Sequence, residues 1–260
     1  MDYGYNRGKL SWYNIDPYFT RSSGIAANLT SNDEQSNLFV REIEQKEIFP
    51  NKELEPGTPL TLTTLDLYFN PKQRGPYNYD ITGMNADGSL KNPAKRWGGI
   101  MRSIDYSDFE ASNIEFIQFW VMDPYSEGGT PSANSGDLYF NLGTVSEDIL
   151  KDSRKYYENG MPRSADDKAA KQKTIWGYVP TNQQPITNTF DNSDEVRLLQ
   201  DVGYDGMNND SERVFYQSYI NSFPAGSKAK VAAEADPSND DYHYYRGSDY
   251  DNEKKPIVER

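Results

Sequence analysis

The chain has 260 residues, a formal net charge of −13, a single histidine and no cysteine. The missing cysteine excludes disulfides, thiol nucleophiles and cysteine-ligated zinc or iron–sulfur centres. The acidity argues against nucleic acid and anionic lipid as electrostatic partners, because both need a basic surface. His243 stands without a partner motif for a Ser-His-Asp triad or a two-histidine metal site and reads as a loop histidine. No apolar run reaches the roughly 18 residues of a membrane-spanning helix, and no secretory leader pattern opens the sequence. The opening MDYGYN and the closing KKPIVER read as the ends of a segment cut from a longer protein.

In chain order, residues 1 to 30 are irregular, with an apolar patch in LSWYNIDPYF and a glycosylation-type sequon at Asn28. Ser31 and Glu34 have capping-box spacing, which predicts a helix over 33 to 48, stopped by Pro50. Leu65, Leu67 and Phe69 alternate with polar residues and predict a half-buried strand. WGGIMRSI (97 to 104), IEFIQFWVM (114 to 122) and DLYFNLG (137 to 143) predict further strands. The middle one is apolar on both faces and therefore belongs inside a packed sheet. Residues 146 to 158 form a helical pattern, TIWGYV a short strand, and NSDEVRLLQ and SERVFYQSYINSF two helices; the tail from 234 onward is acidic and irregular. These elements predict a mainly β protein with peripheral helices around a β-sandwich core from about 62 to 145. Three segments follow: 1–60, irregular with a helix; 61–160, the sandwich and its following helix; and 161–260, loop-rich with a helix-loop-helix.

That helix-loop-helix contains DVGYDGMNNDSE, twelve residues with the rhythm of a calcium loop. Calcium takes six to eight oxygens, and an EF-hand supplies them from positions 1, 3, 5, 7, 9 and 12, with glycine at 6 for the turn. Asp201 takes position 1, Asp205 position 5, the Met207 carbonyl position 7, Asn209 position 9 and Glu212 position 12. Gly203 at position 3 offers no side-chain oxygen, and Asn208 at position 8 replaces the usual apolar residue. The stretch is either a structural calcium site or an acidic turn whose glycines serve the bend. Asp236, Asp240, Asp241, Asp249 and Asp251 form a second acidic cluster that could add ligands elsewhere but reads as a solvated loop. Glu115, Asp123, Asp137, Glu147 and Asp148 could pair for glycoside hydrolysis, but with 40 acids in the chain such pairs arise by number alone. Tyr77, Tyr79, Trp97, Tyr125 and Trp176 could make a sugar-stacking face, with Trp97 and Trp120 read as core.

KLSWYNIDPYF, VREIEQKEIFPNKEL, NPKQRGPYNYD, RWGGIMRSI, DFEASNIEFIQFWVMDP, GDLYFNLGTVSEDILKDSRKYYENG, QDVGYDGM and YYRGSDYD together resemble the SprA (Sov) family. These are very large outer-membrane proteins of Bacteroidetes that act in gliding motility and form the type IX secretion translocon. The likeness runs in order over most of the chain and departs in loop lengths. It implies a soluble periplasmic or surface-exposed segment of an outer-membrane protein. The implied partners are the rest of the barrel, other secretion-system subunits and secreted cargo, without nucleic acid. Trp97 to Ile100, Asp108-Phe109-Glu110 and Phe116 to Val121 also resemble galactose-binding-like jelly-roll modules. The expected function is thus a non-enzymatic structural segment of the translocon, with a carbohydrate-binding β-sandwich, and a glycan as partner, as the alternative.

Overall fold

The computed structural model describes residues 4–21, 24–102, 108, 110–122, 136–145, 171–175, 177–181, 191–200 and 202–260. Its elements are short. In order they are β1 (Gly8–Tyr13), α1 (Tyr18–Arg21), α2 (Asn32–Gln35), β2 (Ile43–Glu44), α3 (Gln45–Ile48), β3 (Thr61–Leu62) and β4 (Asp66–Arg74). There follow β5 (Lys171–Lys173), β6 (Tyr178–Pro180), α4 (Asp194–Gln200), α5 (Asn209–Phe215), α6 (Gln217–Ile220), α7 (Lys228–Ala235) and α8 (Ser248–Asn252). Among the described residues, strands pair only as three two-stranded sheets: β1 with β4, β2 with β3, and β5 with β6. No described helix is long and apolar enough to cross a membrane.

The predicted jelly-roll, galactose-binding-like β-sandwich is therefore corrected: the described fold is helical and irregular, with no sandwich. The error has a physical cause. Alternation and apolarity say that a segment needs covering; they do not say that its ladder partner lies in the same chain. The described parts of the three predicted strands, 97–102, 114–122 and 137–143, carry no strand pairing beyond a single parallel bridge between Arg7 and Trp97. The helix predicted over 33 to 48 also breaks up. Ser31 does cap it, accepting from the Glu34 amide at 3.2 Å. It ends at Gln35, and the Asn37 side chain then accepts from the Phe39 amide at 2.9 Å, an Asx turn that competes with helix. The β4 strand is where alternation placed it, but Leu67 and Phe69 lie on its exposed side. Of TIWGYV, Tyr178 and Val179 lie in β6, which pairs with β5 so that Lys173 stands opposite Tyr178, and Trp176 lies outside the described residues. The helix predicted over 146 to 158 lies outside the described residues.

The chain divides into two compact units. One gathers described residues from Met1–Ser11, Leu67–Gly99 and Ser146–Gly247. Its core is aromatic: Tyr77, Tyr79, Met84, Leu90, Tyr219, Ile220, Phe223, Ala229 and Ala233, with Tyr5 and Tyr216 packed on it. Phe223 meets Tyr219 edge-on at 5.1 Å, and Tyr79 stacks on Tyr216 at 4.6 Å. Tyr219 in α6 and Phe223 just beyond it are both buried, whereas Phe215, the third aromatic at four-residue spacing, is only partly buried. The helix itself is interrupted at Tyr216, between α5 and α6. Segment 75–80 is held from both sides. Buried Asn78 donates to the Arg7 carbonyl at 2.7 Å, and the Tyr77 amide donates to the Ser238 carbonyl at 2.8 Å. Arg74 donates to the Pro237 carbonyl, and Asn239 donates to the Arg74 carbonyl at 3.0 Å. The tail segment 237–240, expected to be a solvated loop, is thus threaded into the core.

The other unit comprises described residues of Trp12–Asp66, Ile100–Val145 and Ser248–Arg260. Phe19, Leu29, Val40 and Ile257 are its buried apolar residues. The Ile257 amide donates to Glu34 Oε1 at 2.6 Å, so the acid of the predicted capping box fastens the C-terminal segment instead. Tyr13 donates to the Ile257 carbonyl at 2.6 Å. Arg260 pairs with Asp251 at 2.7 Å and lies over the Phe19 ring. The sequon residue Asn28 is tied to the Lys255 carbonyl at 3.2 Å.

Candidate metal centre

Asp205, Glu212 and Asp240 each bring a carboxylate oxygen within 4.8 Å of the others. The first two are those of the calcium-like loop; Asp240 comes from the tail segment. Their convergence follows from local sequence chemistry. Asn208, out of place at position 8 of a calcium loop, is the N-cap of α5 and accepts from the Ser211 amide at 3.1 Å. The cap fixes where the helix starts and so sets Glu212 in its first turn, buried. Upstream, Gly203 and Gly206 both have positive φ, +50° and +69°. A Cβ at Gly203 would overlap the Asp240 carboxylate and the Tyr77 hydroxyl. The glycine that leaves position 3 without an oxygen is thus the residue that lets Asp240 supply one.

The hydrogen bonds are unevenly shared. Asp205 Oδ1 accepts from the Met207 amide at 3.0 Å. Its Oδ2 accepts from Ser238 Oγ at 3.1 Å and from the Tyr216 hydroxyl at 3.3 Å. Asp240 Oδ2 accepts from the Tyr77 hydroxyl at 2.6 Å, which in turn accepts from the Tyr204 amide at 2.6 Å. Glu212 Oε2 accepts from the Ser238 amide at 3.3 Å. Glu212 Oε1 is buried with no hydrogen-bond partner.

Burial makes this arrangement costly. Asp205 is 1% exposed and Glu212 0%. Desolvation, then the Asp240 charge, pushes Asp205 up to about 7. Desolvation, then the Asp205 charge, pushes Glu212 up to about 9. Among the described residues neither acid makes an ion pair. Two facing buried carboxylates need either a shared proton or a cation.

Of the remaining loop residues, Asp201 lies outside the described residues. Met207 is buried and reaches the site through its amide. Asn209 turns to the second cluster, donating to Asp241 Oδ2 at 2.8 Å. That cluster brings Asp236, Asp240 and Asp241 together. It has an internal explanation: Asp236 accepts the amides of Asp240 and Asp241, both at 3.2 Å. Asp251 is engaged with Arg260, and Asp249 sits in the first turn of α8. The sequence puts Asp240 in the second acidic cluster and Tyr77 on a sugar-stacking face, and does not single out Ser238. The signal that could have found them was the glycine at position 3, read as a defect in the loop when it is a space.

The other candidates separate. Tyr77 and Tyr79 are core residues, so they form no sugar-stacking face. Trp97 is partly exposed under the Arg7 guanidinium at 5.3 Å, and Trp120 is exposed where core was expected. Glu115, Asp137 and His243 are exposed. Tyr125, Trp176, Asp123, Glu147 and Asp148 lie outside the described residues. No protein-family model and no curated protein matches the chain.

Proposed function

We propose that this chain is a non-enzymatic structural segment of a protein-secretion translocon of the type IX kind, at the bacterial outer membrane. In this role it is held against the remainder of a long SprA-like polypeptide. The observation that carries the reading is the exposure of the 114–122 segment on both sides. Phe116 and Trp120 on one face are 73% and 66% exposed, and Ile117 and Val121 on the other are 52% and 60% exposed. Leu138, Phe140 and Leu142 are exposed too, and Phe140 packs on Phe119 at 4.6 Å. A surface patch shows one apolar face to one partner. A segment apolar on two faces needs neighbours on both, as a central strand does. The resemblance names the neighbours: further segments of the same giant protein.

The residues that carry the resemblance also do structural work in this fold. NPKQRGPYNYD holds Asn78, Tyr77 and Tyr79 of the core, and QDVGYDGM holds Gly203 and Asp205 of the acidic site. The test is to replace Phe116 and Trp120 by serine in the natural full-length protein. Surface delivery of secreted cargo is expected to fall at least tenfold while the protein still reaches the outer membrane. Undiminished secretion would overturn the reading.

A further inference from the structure

We propose that Asp205, Glu212 and Asp240 bind one calcium ion, which ties the 202–207 turn, helix α5 and the 236–241 segment together. The inference is independent of the translocon reading, because it rests on one unit's interior.

Three observations carry it. The first is geometric. Ligand oxygens around calcium sit about 2.3–2.6 Å from the ion, so any two of them are separated by no more than ~5 Å. The three carboxylate oxygens, all within 4.8 Å of one another, fit one such shell. Magnesium, at about 2.1 Å with a rigid octahedron and several retained waters, suits this buried, protein-walled place less well.

The second is the orphan oxygen. Glu212 is wholly buried, and its Oε1 has no donor, whereas Oε2 and both oxygens of Asp205 do. A buried carboxylate oxygen without a donor is rare in folded proteins and asks for a proton or an ion. The neighbouring cluster of Asp236, Asp240 and Asp241 shows no such need, since Asp236 and Asp241 are satisfied by amides and by Asn209.

The third is the space made for Asp240. At Gly203 any side chain would displace its carboxylate, whose Oδ2 is also held by the Tyr77 hydroxyl, itself bonded to the Tyr204 amide. Residues from three stretches of chain are thus built around the position that a loop-only reading leaves short of a ligand. Three ionised carboxylates around a divalent ion leave one negative charge, so the ion takes the place of the protons that burial otherwise holds on the cluster.

The experiment uses the 260-residue chain after treatment with chelator. Calcium is titrated while the melting temperature is followed, and terbium luminescence excited through tyrosine reports direct occupancy, Tyr77 being in contact with Asp240. A saturable rise of roughly 5–10 °C is expected at about a hundred times Kd. Terbium emission should saturate at one ion per chain and be displaced by calcium. Asp240→Asn should weaken both responses at least tenfold. Glu212→Gln should do the same while melting higher than the wild type in chelator, because the amide can donate to Asp205. That pattern separates lost binding from lost folding. An unchanged wild-type melting temperature in millimolar calcium, without saturable terbium emission, would overturn the proposal. An equal response to magnesium at the same concentration would overturn the assignment to calcium.

Discussion

Glu212 and Asp205 sit where burial opposes their charge, and this has a pH consequence. In chelator-treated protein both acids hold their protons more tightly folded than unfolded. A group of that kind contributes its full stability below its unfolded pKa, near 4 for carboxyls, and loses it as pH rises through the folded value. The chelated protein is therefore expected to lose melting temperature progressively between pH 5 and about 9, through the range of the two raised groups. A flat or rising melting temperature over that range would contradict the account. Gly203→Ala belongs to the same scale. Alanine at φ +50° costs about 1–2 kcal/mol in backbone strain, and displacing Asp240 and Tyr77 costs about 1–3 kcal/mol more, together ~2–5 kcal/mol. Chemical denaturation at neutral pH measures it, and wild-type stability in the variant would refute the packing described at this glycine. The sequence made the loop half of the site legible, because position rhythm along a chain is visible in one dimension. Asp240, 35 positions from Asp205, came by long-range threading that no local pattern reports.

Among the elements, helix starts signalled by side-chain chemistry were readable, whereas of the segments signalled by apolar alternation β4 formed a strand and those at 97, 114 and 137 did not. The Ser31 cap and α4 lie where the sequence put them, because a cap is decided within one turn. The segments at 97, 114 and 137 read as strands from periodicity, yet a strand is completed only by a neighbour. Asn37 also ended a helix that the periodicity continued, by offering the Phe39 amide a nearer acceptor. For the α6 region the expectation is quantitative. Phe223→Ala empties a buried site against Tyr219 and should cost about 3–5 kcal/mol in denaturant unfolding. Under 1 kcal/mol would mean that the aromatic cluster is not the core of its unit.

For the whole molecule, the two units draw on interleaved stretches of sequence, so neither is a contiguous domain. A chain of charge −13 is expected to stay soluble, yet it leaves Phe116, Ile117, Trp120 and Val121 exposed. The acidic composition gave no hint of this, since composition does not record which apolar residues find cover. The central claim is that the 114–122 segment is completed by further parts of a longer polypeptide. Hydrogen–deuterium exchange tests it most directly, comparing amides of 114–122 in this chain alone and in the natural full-length protein in its membrane. The account predicts near-unprotected exchange in the chain alone and at least about a hundredfold slower exchange in the full-length protein, as strand pairing gives. Equal exchange in the two would contradict it.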